Sequence, residues 1–342
     1  MELYCGIDLH ATNSYLSIVK QEELKLVRQR RLANDLGLIL GMLEPYRGEI
    51  AGVAVESTFN WYWLVDGLME NGYRVHLANT YAAQQYSGLK YSDDRHDARW
   101  IATLLALGIL PEGYIYPKEE RPLRDLCRRR SFLVQTRSSM LLSMRGSYER
   151  WTGNRTSRKE MYTWTEEDLE PLLDNRYTRL GISCMLEPVN AMTNQIAVIE
   201  KQVLKEAKLR EEFRPLKTVW GVGDILALSI MYEVGNITRF PSVGNFASYC
   251  RLVDTDRLSN NKHKGKGNPK NGNPHLSWAF TEAAHFAKQH RPPAKRFCER
   301  KQKSENAIVA IRALAHKLAR ASYYVLRDRV EFDPQRLFGK SK

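Results

Sequence analysis

Residues 50–55, IAGVAV, form an unbroken apolar run that stops at Glu56. A run of this kind, bounded by polar sequence, suits a central strand covered on both faces. Residues 3–9, LYCGIDL, read as a second short buried strand, with an acid inside it. ATNS is turn-like, YLSIVKQ reads as a returning strand, and EELKLVRQRRLAND can supply a third. After Glu56, STFNWYWLVDGLMENG reads as a helix with Ser57 or Thr58 as N-cap and Gly72 as a stop signal. YRVHLAN is another strand, and DDRHDARWIATLLALGIL another helix. A strand-hairpin start followed by β-α-β-α predicts an α/β domain with a mixed sheet over residues 1–114.

From residue 115 to 212 the strand signals fade and a basic helical segment is predicted. Residues 121–160 hold eleven Lys/Arg against three acids, with Arg128, Arg129, Arg130 and Arg137 closely spaced. Val189, Met192, Ile196, Ile199 and Val203 are spaced 3, 4, 3, 4, a coiled-coil seam of about two heptads. A seam that short is not stable alone, so it should pack on the basic helix or on a partner chain. Residues 213–342 read as a mainly α unit. It contains a Gly-Val-Gly turn at Gly221 and Gly223, a long Gly/Asn/Pro/Lys-rich loop within residues 251–280, and a strongly periodic final helix.

The chain carries 52 Lys+Arg against 39 Asp+Glu, a formal net charge of +13 over 342 residues. That excess suggests a polyanionic partner, nucleic acid or an acidic membrane surface. No apolar run approaches a membrane span and no signal peptide is visible, so no membrane role is expected. Cys5, Cys127, Cys184, Cys250 and Cys298 form no CxxC pair, which argues against a zinc cluster or disulfide framework and for a reducing cytoplasm.

Against that basic background the acids are unevenly placed. YSDDRHDARW puts Asp93, Asp94 and Asp97 at the mouth of a helix. Asp94 and Asp97, spaced i, i+3, can share a helix face. Asp8 lies in a buried strand, where an acid is costly unless satisfied. Glu56 lies at the C-terminal end of the apolar strand, where ligands collect in open α/β sheets. Four carboxylates brought together repel unless cations balance them. Two Mg²⁺ ions about 4 Å apart would do so and would support phosphodiester cleavage. Plainer roles stand beside this one: Asp93 or Asp94 can cap the helix, Asp97 can pair with Arg95 or Arg99, and Glu56 can be a surface residue.

YCGIDLHATNSYLSIV, VAVEST and SDDRHDARWIATLL resemble the three acidic segments of the RuvC-like DEDD transposases. More narrowly they resemble the IS110 insertion-sequence family, relatives of the Piv DNA invertases. The resemblance implies a RuvC/RNase H-like first domain in which Asp8, Glu56, Asp94 and Asp97 bind Mg²⁺ or Mn²⁺, with Asp93 the rival for the third place. VWGVGDILALSIMYEVGNITRFPSVGNFASYCRLV resembles the family's hairpin-type segment, usually PGVG followed by E-I-G-D-x-x-R-F-x-S. There Gly221 and Gly223 can bring backbone N–H groups against a phosphate. LSNNKHKGKGNPKNGNPHL resembles the family's S-G-G-K stretch, with Ser259, Lys262, Lys270, Gly272, Asn273 and Leu276 in matching places. The family's serine there is the strand-cleaving nucleophile, which falls on Ser259, with Ser242, Ser248 and Ser277 as competitors. Lys262, Lys264, Lys266 and Lys270 would neutralise the DNA backbone. The sequence departs at Asn260 and Asn261, and at Arg251 before Leu252, where glycines are usual.

The resemblance implies a cytoplasmic prokaryotic transposase/recombinase. It would cleave and rejoin target and donor DNA through a phosphoserine link, guided by a bridge RNA, as a homodimer that pairs into a tetramer. The basic helices, at Arg128, Arg129, Arg130 and Arg137 among others, would suit that RNA. Two other classes stay open: a junction-resolving or RNase H-like nuclease using metal-activated water, and a non-catalytic nucleic-acid-binding protein. A sugar-kinase-like ATPase also begins with a GID strand, but no second phosphate loop follows.

Overall fold

The computed structural model of the chain describes residues 2–83, 94–253, 256–259, 262–266 and 271–339, those between 256 and 266 by backbone alone. Asp93, Asn260, Asn261 and Lys270 lie outside the described residues. The chain divides into two compact units, Met1–Glu119 and Glu120–Lys342. The middle helices therefore share a unit with the C-terminal ones, where the sequence reads as three segments.

The first unit holds β1 (Leu3–Leu9), β2 (Asn13–Lys20), β3 (Leu26–Ala33), α1 (Leu36–Leu43), β4 (Ile50–Glu56), α2 (Tyr62–Glu70), β5 (Val75–Ala78), α3 (Thr80–Ala83), α4 (Asp94–Ala106) and β6 (Glu112–Gly113). Its described strands form one mixed sheet, ordered β3-β2-β1-β4-β5-β6. β1 pairs antiparallel with β2 and parallel with β4, and β4 pairs parallel with β5. Side chains alternate across a strand, so the sheet separates its residues onto two faces. Leu3, Cys5, Ile7 and Leu9 of β1, with Val53 and Val55 of β4, pack against Ile39 and Leu43 of α1 and Leu64 and Leu68 of α2. Ala54 and Ala78 face the other way, against Ile101, Leu104 and Leu105 of α4. The IAGVAV strand is thus central and covered on both sides, as its composition requires.

Two local expectations change. α1 has no counterpart in the sequence reading; Asp35 caps it, its side chain accepting from the Leu38 N–H at 2.9 Å. α2 starts at Tyr62, not at Ser57 or Thr58. The Thr58 hydroxyl instead donates to Asn60 Oδ1 at 2.9 Å, and Asn60 reaches across to the His10 carbonyl at 3.0 Å. The segment that looks like a cap is a turn that serves β1.

The second unit opens with α5 (Arg121–Thr152), α6 (Arg158–Met161), α7 (Glu166–Leu169) and α8 (Arg176–Ala207). α9 (Phe213–Thr218), α10 (Asp224–Val234) and α11 (Val243–Tyr249) lead to a hairpin, β7 (Asp256–Ser259) and β8 (Lys262–Lys266). α12 (Pro274–His290), α13 (Pro292–Gln302), α14 (Ala307–Asp328) and α15 (Pro334–Phe338) complete it. The α8 seam is filled within the chain: Val189, Ile196 and Val203 are buried, and α8 packs along α5. One core then runs from Val203 and Ala207 through α10 to α12 and α14, with Leu123 and Leu126 of α5 packed against it. That continuity is why the middle helices belong to the second unit. No helix among the described residues is long and apolar enough to cross a membrane.

Candidate functional site

The site grows from one glycine. Gly6 and Asp8 lie two apart on β1 and therefore share the sheet face that α4 covers. A Cβ at Gly6 would stand 2.2 Å from the Ala98 carbonyl oxygen and 2.5 Å from the Ala102 nitrogen. Only glycine lets the α4 backbone lie this close to the sheet. Asp94 and Asp97 sit on the turn preceding Ala98, so the same close approach lowers both acids toward Asp8. Gln29 of β3 secures that turn, its amide donating to the Arg95 carbonyl at 2.8 Å and to the Ser17 hydroxyl at 2.7 Å.

Glu56 arrives from the neighbouring strand. β1 and β4 run parallel with Ile7 opposite Val55, so Asp8 and Glu56 follow side by side on the α4 face. Asp8 is 3% exposed. The two carboxyls share a hydrogen bond, and Thr80 at the start of α3 also bonds Glu56. Burial is the main force on both acids. It pushes Glu56 up to about 8, with the Asp8 hydrogen bond and the charges of Asp8 and Asp97 adding to it. Burial likewise raises Asp8; the Glu56 hydrogen bond and His10 pull it down, while Asp94 and Asp97 push it up.

The sequence reading missed His10. Its Nε2 stands 3.2 Å from Asp8 Oδ2 and 3.3 Å from Asp94 Oδ2. The atom is buried and makes no aligned hydrogen bond, although it is near enough to both carboxylates for ion pairing. Its backbone carbonyl accepts from Asn34 at 2.9 Å and Asn60 at 3.0 Å, so the residue is held from behind. The signal was present in GIDLH, where Asp8 and His10 fall two apart on one face. Asp8, His10 and Asp94 offer ligand atoms within 4.8 Å of one another. A buried imidazole nitrogen without an aligned partner, set between the Asp8 and Asp94 carboxylates, fits a divalent cation. An oxygen-dominated set of this kind suits Mg²⁺ or Mn²⁺ better than a soft metal.

The second unit places the other candidates differently. Arg128 is bidentate on the buried Glu233, with Nε at 2.6 Å and Nη2 at 2.8 Å. Arg130 pairs with Glu200 at 2.7 Å, and Arg137 donates to Thr193 at 3.1 Å beside the Tyr162 ring. These three guanidinium groups are engaged inside the unit, whereas Arg129 is exposed, 5.8 Å from the Phe132 ring. Exposed cations recur farther along the sequence, where Arg150, Arg155, Arg158 and Lys159 lie near Trp151 in the chain, itself 59% exposed.

Gly221 has φ +81, and a Cβ there would meet the Ala283 carbonyl oxygen at 2.0 Å, so it is required where α12 crosses the turn. Gly223 has open space and caps α10 beside a cleft of about 530 Å³ lined by Lys217, Trp220 and Arg291. Asp224 follows in the first turn, paired with Lys217 at 2.6 Å, and already answers the positive end of that helix. Ser259 ends β7 with its backbone opposite Lys262, the first residue of β8, which also carries Lys264 and Lys266.

Comparison with known proteins supplies the family. A model of DEDD transposases of the IS110 type matches residues 5–147. A second, described as the transposase IS116/IS110/IS902 family, matches residues 214–299. Among curated proteins, the transposase for insertion sequence element IS1111A of Coxiella burnetii is 24% identical over 206 residues, covering 58% of this chain and 55% of the relative. The insertion element IS110 uncharacterized 43.6 kDa protein of Streptomyces coelicolor is 30% identical over 140 residues, 39% of this chain and 34% of the relative. The insertion element IS116 uncharacterized 44.8 kDa protein of Streptomyces clavuligerus is 23% identical over 193 residues, 54% and 48%. The matches span about half, or less, of these relatives' own length. The first matched stretch contains the carboxylate cluster and the second contains Ser259; with both in one chain, this protein belongs to the IS110 family of insertion-sequence transposases.

Proposed function

We propose that this chain is a DNA transposase/recombinase that cleaves and rejoins strands, using a Mg²⁺ or Mn²⁺ site at Asp8, Glu56, Asp94 and Asp97 and the Ser259 hydroxyl as nucleophile. The observation that carries the reading is the convergence of Asp8, Glu56 and Asp94 on one sheet face, with His10 Nε2 against two of these acids. The strand order, with its antiparallel β1-β2-β3 meander and parallel β4 and β5, supports the RuvC/RNase H-like reading of this domain.

When bound, the cation would offset the carboxylate charge and polarise the scissile phosphate. The chain's own residues do the rest. β1 and β4 hold Asp8 and Glu56 in fixed register, and Gly6 sets the height of Asp94 and Asp97 above them. Glu56 gives up its proton as the site charges, and His10 orients Asp8 and Asp94. Ser259 Oγ loses its proton and forms a bond to phosphorus as one bond from phosphorus to a sugar oxygen breaks. That oxygen takes up a proton and leaves as a hydroxyl, and a strand hydroxyl later attacks the phosphoserine on a new strand, returning a proton to Ser259 Oγ. The energy of the phosphodiester is kept in the phosphoserine link, so no ATP is needed. Ser259 belongs to the second unit and the four acids to the first.

Lys262, Lys264, Lys266 and Lys270 would accompany the DNA backbone, and the Gly221/Gly223 turn would approach a phosphate. A bridge RNA would lie along the exposed basic surface of α5, at Arg129 and at the Trp151 end, where cations flank a stacking ring. Arg128, Arg130 and Arg137 would support that surface from inside. Assembly as a dimer that pairs into a tetramer completes the proposal.

The test uses end-labelled element DNA with Mg²⁺ or Mn²⁺. Wild-type protein yields a covalent protein–DNA adduct, Ser259→Ala yields none, and Asp8→Asn loses cleavage by about 10³-fold or more. Adduct formation by Ser259→Ala moves the nucleophile elsewhere. Strand hydrolysis by Ser259→Ala without adduct favours the water-using nuclease. Sequencing the nucleic acid that copurifies checks the RNA: a discrete non-coding species supports guidance, and random cellular RNA refutes it.

A further inference from the structure

The second unit buries a carboxylate for which the proposed chemistry has no use. Glu233, in the last turn of α10, is 3% exposed. Beyond its bidentate pair with Arg128 of α5, its Oε2 accepts from Asn273 Nδ2 at 2.7 Å. Asn273 is 5% exposed and is bonded through side chain and backbone alike. Its Oδ1 caps α12, accepting from the His275 N–H at 2.9 Å and the Leu276 N–H at 3.2 Å. Its own N–H donates to the Tyr249 carbonyl at 2.6 Å.

These residues frame the hairpin that carries Ser259. The chain enters from Tyr249 and Arg251 and leaves through Asn271, Gly272 and Asn273. Arg251 Nε donates to the carbonyls of Asn271 at 3.2 Å and Gly272 at 3.1 Å, and the Arg251 carbonyl accepts from Arg312 at 3.0 Å. Gly272 has φ +92, and a Cβ there would meet the Tyr249 carbonyl oxygen at 2.5 Å. Entry and exit are therefore locked together, and Glu233 reaches that lock through Asn273.

We propose that Arg128, Glu233 and Asn273 act as a positioning relay, fixing the root from which the Ser259 hairpin projects and tying it to the basic helix α5. The proposal rests on the reading of Ser259 as nucleophile. Two features separate positioning from plain stability. Helix capping uses Asn273 Oδ1 alone, while Nδ2 donates to Glu233 at 2.7 Å and at a longer 3.5 Å to the Tyr249 hydroxyl, so the amide nitrogen reads Glu233 without serving the cap. A buried carboxylate that receives a guanidinium fork and an amide has one geometry, and an angular error at a hairpin root grows toward its tip.

The contact can be reversed by two substitutions that together leave net charge unchanged. Asn273→Asp keeps the cap but sets a carboxylate against Glu233. Glu233→Gln keeps the shape but sets an amide against Asn273 or Arg128. In the double variant the new amide can donate to the new carboxylate while still accepting from Arg128. Each single variant should slow formation of the Ser259–DNA adduct about tenfold or more, with DNA affinity within about twofold of wild type. The double variant should recover to within about threefold of wild type. Single variants at wild-type rates, or a double variant no faster than the slower single, overturn the relay. Amide hydrogen exchange of residues 249–253 and 271–276, which involves no chemistry, should quicken in the single variants and slow again in the double. Unchanged exchange in the single variants also overturns it. An adduct that survives Ser259→Ala defeats the nucleophile reading instead, and the exchange data then judge the relay alone.

Discussion

Asp8 and Glu56 in the first unit and Glu233 in the second are all acids held away from water, yet their surroundings have opposite effects. Burial drives Glu56 up to about 8, and the neighbouring acids Asp8 and Asp97 add to the rise. Burial also presses on Glu233, but the Arg128 fork, its charge and the Asn273 amide outweigh it and hold that carboxyl below its ordinary value. One carboxyl has acids for its charged neighbours, and the other has a guanidinium. Burial of an acid is therefore not itself a mark of function; burial among acids with no basic side chain of equal strength is.

The widest separation of the two should come on deletion. Glu233→Ala leaves Arg128 without its carboxylate and should lower unfolding stability by about 3–5 kcal/mol in urea titration. Asp8→Asn, in cation-free buffer, should leave stability unchanged or raise it, since it removes repulsion. Equal losses in the two variants would erase the distinction.

Acidity should sharpen the contrast next. A carboxyl with a folded pKa above its unfolded value keeps more protons folded than unfolded between about pH 4.5 and 8. The cation-free first unit should therefore lose stability as pH rises through that window. Added Mn²⁺ should reverse the trend, worth about 2.7 kcal/mol at a hundredfold excess over its dissociation constant. The thermal shift on adding Mn²⁺ should be larger at about pH 8.5 than at about pH 6. Glu233, with its depressed pKa, should show the opposite sign, its contribution disappearing as pH falls below the ordinary glutamate range.

A smaller effect is expected at Gly6→Ala, whose new methyl must displace α4, at about 1–3 kcal/mol of stability. That variant should also lose most of the Mn²⁺ thermal shift, since Asp94 and Asp97 move with the helix. The smallest concerns Arg251, which sits at φ 55 where the family has glycine. Arg251→Gly relieves about 1 kcal/mol of left-handed strain but removes the donor to Asn271 and Gly272. Net stability should stay within about 1 kcal/mol in urea, while amide exchange near Gly272 quickens.

Much of the acidic site was legible because an acid inside LYCGIDL and another ending IAGVAV violate the pattern of their own strands. The helix-start spacing of Asp94 and Asp97 was equally visible. His10 went unread although GIDLH sets it two residues after Asp8, because a histidine just past a strand breaks no hydrophobic pattern. Arg128, Arg130 and Arg137 read as a nucleic-acid face because a cation's sequence spacing is the same whether it meets solvent or a partner far along the chain. Ser57 and Thr58 read as caps because the local signal is correct, yet the turn they begin is claimed by Asn60 and His10.

The sequence by itself determined the elements whose causes are local: the two-sided central strand, the acid-led helix, the short apolar seam and the basic charge that suits a polyanion. Only tertiary structure decided which charges face one another, since Coulomb energy depends on distance in space and not along the chain. Gly6 shows the step between the two. Its lack of a side chain is written in the sequence, but that this brings α4 and its two aspartates down onto Asp8 emerges only when the helix packs.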